Sequence, residues 1–101
     1  MTLLQEVERI RMAVAEELDR YRTMFESVSL TLSDPALVVW KQAADEFTAE
    51  LKVEFYEDGN LVDIFEFFVC KAGVLTINED EVRQWIRQNA PDVVQRRERT
   101  Q

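Results

Sequence analysis

Histidine is absent from this chain of 101 residues, and cysteine, glycine and proline are scarce, at one, two and two. The missing histidine removes the commonest general base, the commonest metal ligand and the side chain that titrates nearest neutral pH. Nucleophilic triads that depend on it go too. Two glycines, Gly59 and Gly73, cannot build a phosphate-cradling loop. A lone Cys70 makes no internal disulfide, which points to a reducing, cytoplasmic setting. Lying in an apolar run, it reads as a small buried hydrophobe, with Lys71 on the opposite face. No apolar run approaches the length of a membrane span, and Thr2-Leu3-Leu4-Gln5-Glu6 lacks the basic n-region of a signal peptide.

What is present is apolar and acidic. An apolar fraction of 47% is that of a folding chain, and the length suits one domain with one core. The net charge of −8 is concentrated in residues 34–77, where nine acidic residues face three basic ones; from Pro91 on, three arginines outnumber two acids. No basic footprint exists for nucleic acid.

Leu3, Val7, Ile10, Val14, Leu18, Tyr21, Phe25 and Val28 recur at steps of three and four, the stripe of an amphipathic helix from Thr2 to about Ser27. Thr2 and Gln5 can form a capping box, and Glu16–Arg20 and Arg22–Glu26 stand at ion-pair spacing. Ser27 to Asp34 reads as a connection. Asp34-Pro35 could open a helix, yet Leu37-Val38-Val39-Trp40 is β-branched and aromatic, so a strand over about 37–42 is preferred.

From Phe47 to Tyr56 apolar and polar residues alternate, the pattern of a strand with one face in a core. Asp58-Gly59 then marks a hairpin turn. The following run, Leu61 to Cys70, is apolar on both parities. A two-residue loop in strict register would set Glu54 against Asp63, whereas a three-residue loop joins Lys52 to Glu66. Opposite charges across a strand pair favour the second register. Lys71-Ala72-Gly73 is a further turn before a short strand at 74–77. Asn78 caps a last helix with Glu81 in the capping-box position; Val82, Trp85 and Ile86 are its apolar face, and Asn89 and Pro91 are expected to end it.

The fold so predicted is α+β: a long N-terminal helix packed on a four-stranded antiparallel meander, followed by a C-terminal helix. Residues 1–90 form the single domain and 91–101 a flexible tail. In outline this resembles the cystatin-like arrangement, a topological likeness that implies no function.

Chemistry is thinly represented. Glu66, among Phe65, Phe67 and Phe68, is the one candidate general acid, with a cross-strand partnership to Lys52 the stronger reading. Glu57-Asp58-Gly59-Asn60 lacks the spacing of a calcium loop and reads as a turn. No cofactor and no metal are expected.

The expected function is therefore a small acidic, non-catalytic protein-binding module, of the bacterial immunity or inhibitor kind, that meets a basic enzyme. The alternatives are a homodimeric structural protein and a small-ligand binder with a pocket between helix and sheet. In the Lys52–Glu66 register, Glu50, Glu54, Tyr56, Val62, Ile64 and Phe68 share a sheet face that the helices leave open, an acidic rim around an apolar centre.

Overall fold

The computed structural model describes residues 2–43 and 45–100. Helix α1 (Leu3–Asp19) and the short α2 (Arg22–Ser27) precede strands β1 (Leu30–Leu32), β2 (Ala36–Lys41), β3 (Thr48–Glu57), β4 (Asn60–Lys71) and β5 (Val74–Leu75); helix α3 (Glu79–Thr100) closes the chain. The class is α+β. Every paired strand runs antiparallel to its neighbour.

Helix α1 starts on the expected capping box: Thr2 accepts from the Gln5 amide, and the Gln5 side chain accepts from the Thr2 amide. It stops earlier than its stripe implies. The amides of Arg20 and Tyr21 bond back three residues, to Glu17 and Leu18, and the tightened turn separates α2 from α1. No glycine or proline marks the break. Beyond it, Phe25 is fully buried, its ring 5.4 Å from that of Phe55 and edge-on.

Both β1 and β2 pair with β3, along the same side, so they are two pieces of one edge strand. Ser33 keeps the pieces aligned. Its amide donates to the Glu54 carbonyl and its hydroxyl accepts from the Glu54 amide, both at 2.9 Å. Pro35, which cannot donate, fits the interruption of an edge strand. Residues 30–32, expected as connection, are thus sheet, and the strand reading of 37–42 holds as Ala36–Lys41.

The central hairpin satisfies both local preferences at once. Asp58 and Gly59 take positive φ values of 52° and 80°, a two-residue turn with Glu57 opposite Asn60. Tyr56 then pairs with Leu61, but Phe55 pairs with Asp63, leaving Val62 as an extra residue. This bulge shifts the register by one, and Lys52 comes to stand opposite Glu66 and Leu51 opposite Phe67, as expected. The loop is therefore shorter than the three residues expected, with the bulge making up the difference.

The core lies between one sheet face and the helices. Ala49, Leu51, Val53 and Phe55 of β3, Phe65 and Val69 of β4, Val7, Ile10, Val14 and Leu18 of α1, and Val82, Ile86 and Ala90 of α3 are all at most 5% exposed. An aromatic ladder runs through it: Phe25 to Phe55, Phe55 to Phe65 at 4.8 Å, and Phe65 to Trp85 at 4.9 Å, each edge-on. Such contacts add about 0.5–1.5 kcal/mol apiece beyond burial.

Helix α3 corrects the expected chain end. It opens on the Asn78–Glu81 capping box as read, but continues through Pro91 to Thr100. A proline inside a helix costs about 3 kcal/mol. Burial of Val93 and Val94, at 0% and 4% exposure, offsets this with about 1.5–3 kcal/mol each. Arg96 pairs with Asp63 at 2.7 Å and Arg97 with Glu57, so the basic segment read as a frayed tail is docked on the sheet.

Two measurements follow. Val93→Asp should lower unfolding stability by about 3 kcal/mol or more in a urea titration, where a flexible tail would give no change. Cys70 is buried, its thiol donating to the Phe47 carbonyl at 3.0 Å, and desolvation raises its pKa. It should react with a thiol reagent at least about a hundredfold more slowly in the native protein than in denaturant.

Candidate functional site

Because α1 and α3 pack on the same side, the other sheet face has no helix over it. Alternation and register define what it shows. Thr48, Glu50, Lys52, Glu54 and Tyr56 of β3 occupy the parity opposite the core residues, although Glu50 is itself buried there, at 8% exposure. Across the strands, Val38 and Phe68 flank Glu50, Ala36 and Glu66 flank Lys52, and Ile64 stands opposite Glu54. A charged central strand therefore runs between apolar flanks.

Five of the six residues expected at a binding surface share this face directly: Glu50, Glu54, Tyr56, Ile64 and Phe68. Val62 adjoins it as the bulge residue. Ile64, Phe68 and Val62 are 36–37% exposed, and Leu61, opposite Tyr56, is 54% exposed. Tyr56 donates to Glu54 Oε2 at 2.7 Å, and that bond holds the phenol above its usual pKa. Lys52 lies 3.7 Å from Glu50 and 3.6 Å from Glu66.

The face is less acidic than expected, because lysines share it. Lys41 stands opposite Thr48, and Lys71 lies over the Phe68 ring, 4.4 Å from its centre. Together with Lys52 they balance Glu50, Glu54 and Glu66. Glu57 and Asp63 turn to the helix side, where Arg97 and Arg96 meet them; Asp63 also accepts from the Ile64 amide at 2.8 Å. The face is thus mixed in sign: carboxylates lie in its middle and toward Tyr56, and two lysines mark the Thr48 end. Trp40, 60% exposed, is the extra residue of a second irregularity between Val39 and Lys41. The irregularity at Trp40 brings Lys41 to the parity of Thr48, which no sequence period signals, whereas Lys71 lies on the side opposite the buried Cys70, as alternation implies.

Glu66, the candidate general acid, stands half-exposed beside Lys52 and not in a cleft. Among the described residues no three acidic or cysteine side chains come together as a metal site, and no helix is long and apolar enough to cross a membrane. An open groove of about 620 Å³ lies between α1 and α3, lined by Gln5, Arg9, Met12, Glu16, Glu79 and Arg83 among others. It opens on the helix surface. Between helices and sheet the aromatic ladder occupies the centre, and smaller recesses of about 220 and 130 Å³ lie between α1 and β5 and between α2 and β1.

Next to that groove is the most buried charge of the fold. Glu17 has no exposed surface, yet it accepts from Arg87 Nε and Nη2 at 3.0 and 2.9 Å and from Arg83 Nη1 at 3.2 Å, with Arg20 at 3.8 Å. Arg83 also bridges to Glu16 at 2.8 Å and Glu79 at 3.6 Å. The expected Glu79–Arg83 pair is therefore present. Glu16 bonds across to α3, however, and Arg22 bonds to Asp19, so neither pair expected within the first helix is among those formed. The Arg87 bonds hold the Glu17 pKa below the ordinary carboxylate value; burial opposes them and Arg83 reinforces them.

Comparison with protein-family models, with characterised proteins and with solved structures finds no match to this chain.

A carboxylate whose folded pKa is depressed adds stability above its unfolded value, near 4.3, and that stability is lost as pH falls through the folded value. Unfolding free energy should therefore drop on acidification below about pH 4.3, and Glu17→Met should remove part of the drop. The cluster should also be asymmetric. Replacing Arg83 and Arg87 together with Met strands a buried carboxylate and should cost about 3–5 kcal/mol. Glu17→Met should cost less, because it leaves arginines that reach water. Urea titrations of both variants at pH 7 and pH 3 test the ordering.

Proposed function

We propose that this chain is a non-catalytic protein-binding module whose working surface is the helix-free sheet face. One observation carries the reading: Phe68, Ile64, Val62 and Leu61 stay 36–54% exposed on the side of the sheet away from the helices, while the alternate residues of β3 beneath the helices are buried. Contiguous apolar surface with a charged surround is the composition of a protein interface. The charged groups on the face lie at strand positions, held by a ladder of backbone bonds, and so present a rigid surface.

In the manner of an immunity protein or inhibitor, such a module would occlude a basic enzyme. Glu54 and Glu66 support that use, the buried Glu50 offers little surface to it, and Lys41, Lys52 and Lys71 count against it, because a face of balanced charge steers a basic partner weakly. The balance lends more support to the homodimer, since a second copy supplies both signs.

A photo-crosslinking side chain placed at Ile64 or Phe68, with exposed Gln84 on α3 as the control position, tests the face. Adducts with a protein should form from 64 and 68 and not from 84. Adducts from 84 alone, or from none of the three, would count against the proposal.

A further inference from the structure

We infer that the outer edge of β4 is a slot for one extended segment of a partner protein, added antiparallel as a further strand. Its basic residue would stand against Glu66, between two apolar ones. The inference deepens the docking role proposed above by giving the partner's backbone a place. It comes from the phase of the hydrogen-bond ladder. Along an antiparallel strand, successive residues turn their backbone groups to one neighbour and then to the other. The Glu54 amide and carbonyl both engage Ser33, on the β1–β2 side. Ile64, opposite Glu54, therefore turns its own amide and carbonyl away from β3, and so do Glu66 and Phe68. Two contacts agree: the Ile64 amide donates to Asp63 Oδ1 at 2.8 Å, and the Thr76 hydroxyl donates to the Phe68 carbonyl.

Among the described residues β5 pairs only with Cys70 and Lys71, so no strand pairs with this edge from Asn60 to Val69. The edge is closed at both ends. Thr76 takes the carbonyls of Phe68 and Val69 at one, and the Asp63 carboxylate and the Val62 bulge end the ladder at the other. Between them the Ile64 carbonyl, the Glu66 amide and carbonyl, and the Phe68 amide face outward in strand geometry. They span about 13 Å, the reach of a short strand. An antiparallel strand laid in register would meet all of them. Backbone groups so spaced select an extended segment as the occupant.

The side chains beside these groups set the occupant's chemistry. Ile64 and Phe68 are each 36% exposed on the helix-free side, and Glu66 stands between them with half its side chain exposed. The facing positions of an added strand therefore suit apolar, basic and apolar residues in turn. Lys52 approaches Glu66 from the β3 side at 3.6 Å, which leaves the outer side for a second cation. A second copy of the chain does not fit. Pairing two β4 edges about a two-fold axis sets Glu66 against Glu66, Ile64, Phe68 or the bulge residue Val62 of the other copy, never against a cation.

The probe is a synthetic peptide of about nine residues, with threonine at alternate positions and valine, lysine and valine between them at its centre. Titrated into the isotope-labelled full chain, it should bind with a dissociation constant on the order of 100 µM. At saturation, amide hydrogen exchange at Glu66 and Phe68 should slow at least about tenfold. Phe65 and Phe67, whose amides already face β3, should not change. Glu66→Pro, which removes an outward amide from an edge strand, should weaken the probe about tenfold or more. Glu66→Lys keeps the amide and reverses the charge; it should weaken the probe similarly, and a probe with glutamate in place of lysine should restore binding. Absence of saturable binding, equal binding by Glu66→Pro, a charge exchange without rescue, or unchanged exchange at Glu66 and Phe68 overturns the slot. So does Glu66 exchange that slows with protein concentration alone, since a second copy then holds the edge. The docking role of the open face is read separately: adducts from 64 and 68 without probe binding leave that role standing and remove only the added strand.

Discussion

The Phe25–Phe55–Phe65–Trp85 ladder is the interaction on which the arrangement of this protein depends. Its four rings come from α2, β3, β4 and α3, so the same edge-on contacts that fill the core also hold the helical elements to one side of the sheet. Beside it, Glu17 ties α1 to α3 through two arginines. A chain of 101 residues has no third layer to spend on the other face. What the core gains in aromatic packing, the outer face lacks in cover, and the apolar residues of both parities in β4 have to serve two different surroundings.

Charge is arranged by the same geometry. Residues 34–77 are strongly acidic, which invites a search for a basic partner. Part of that partner is the chain itself. Arg96 and Arg97 reach Asp63 and Glu57 because α3 runs on past Pro91, and the lysines at the Thr48 end balance the carboxylates of the outer face. The net charge still matters for solubility. It is a poor guide to the sign of any one surface, since each strand sends alternate residues to opposite sides.

The central hairpin shows how a local rule and a global one can both be met. Asp58-Gly59 accepts the two positive φ angles of a tight turn, and that turn by itself would have placed Glu54 opposite Asp63. Inserting Val62 as a bulge costs one unpaired residue and returns the pairs from Phe55–Asp63 to Glu50–Phe68 to a register in which Lys52 meets Glu66 and the buried parity of β3 meets Phe65 and Phe67. The bulge also sends Asp63 to the helix side, within reach of Arg96. Core pairing decided the register, and the turn was accommodated to it.

Much of this fold was legible in the residues. Periods of 3.6 and 2 identify α1 and β3, the caps at Thr2 and Asn78 mark two helix starts, and Asp58-Gly59 marks the hairpin, because each signal is carried by neighbours in the chain. Of the open face, Glu50, Glu54, Tyr56, Ile64 and Phe68 were legible from alternation once the register was chosen by charge. Local chemistry did not announce the break after Asp19, the passage of α3 through Pro91, the sheet pairing of Leu30–Leu32, or the arrival of Lys41 on the open face. Each is settled by contacts between residues far apart in sequence: Phe25 with Phe55, Arg97 with Glu57, Leu30 with Glu57, Lys41 with Thr48 across the bulge at Trp40. The sequence by itself determined the helical character of α1, the start of α3, the extended character of β3 and which side of β3 is apolar, because those are properties of short windows. Only the tertiary structure decided which sheet face stays open and what charge it bears, because the free energy of burying Val93, Val94 and Phe25 outweighs the local preferences that would have ended the helices elsewhere.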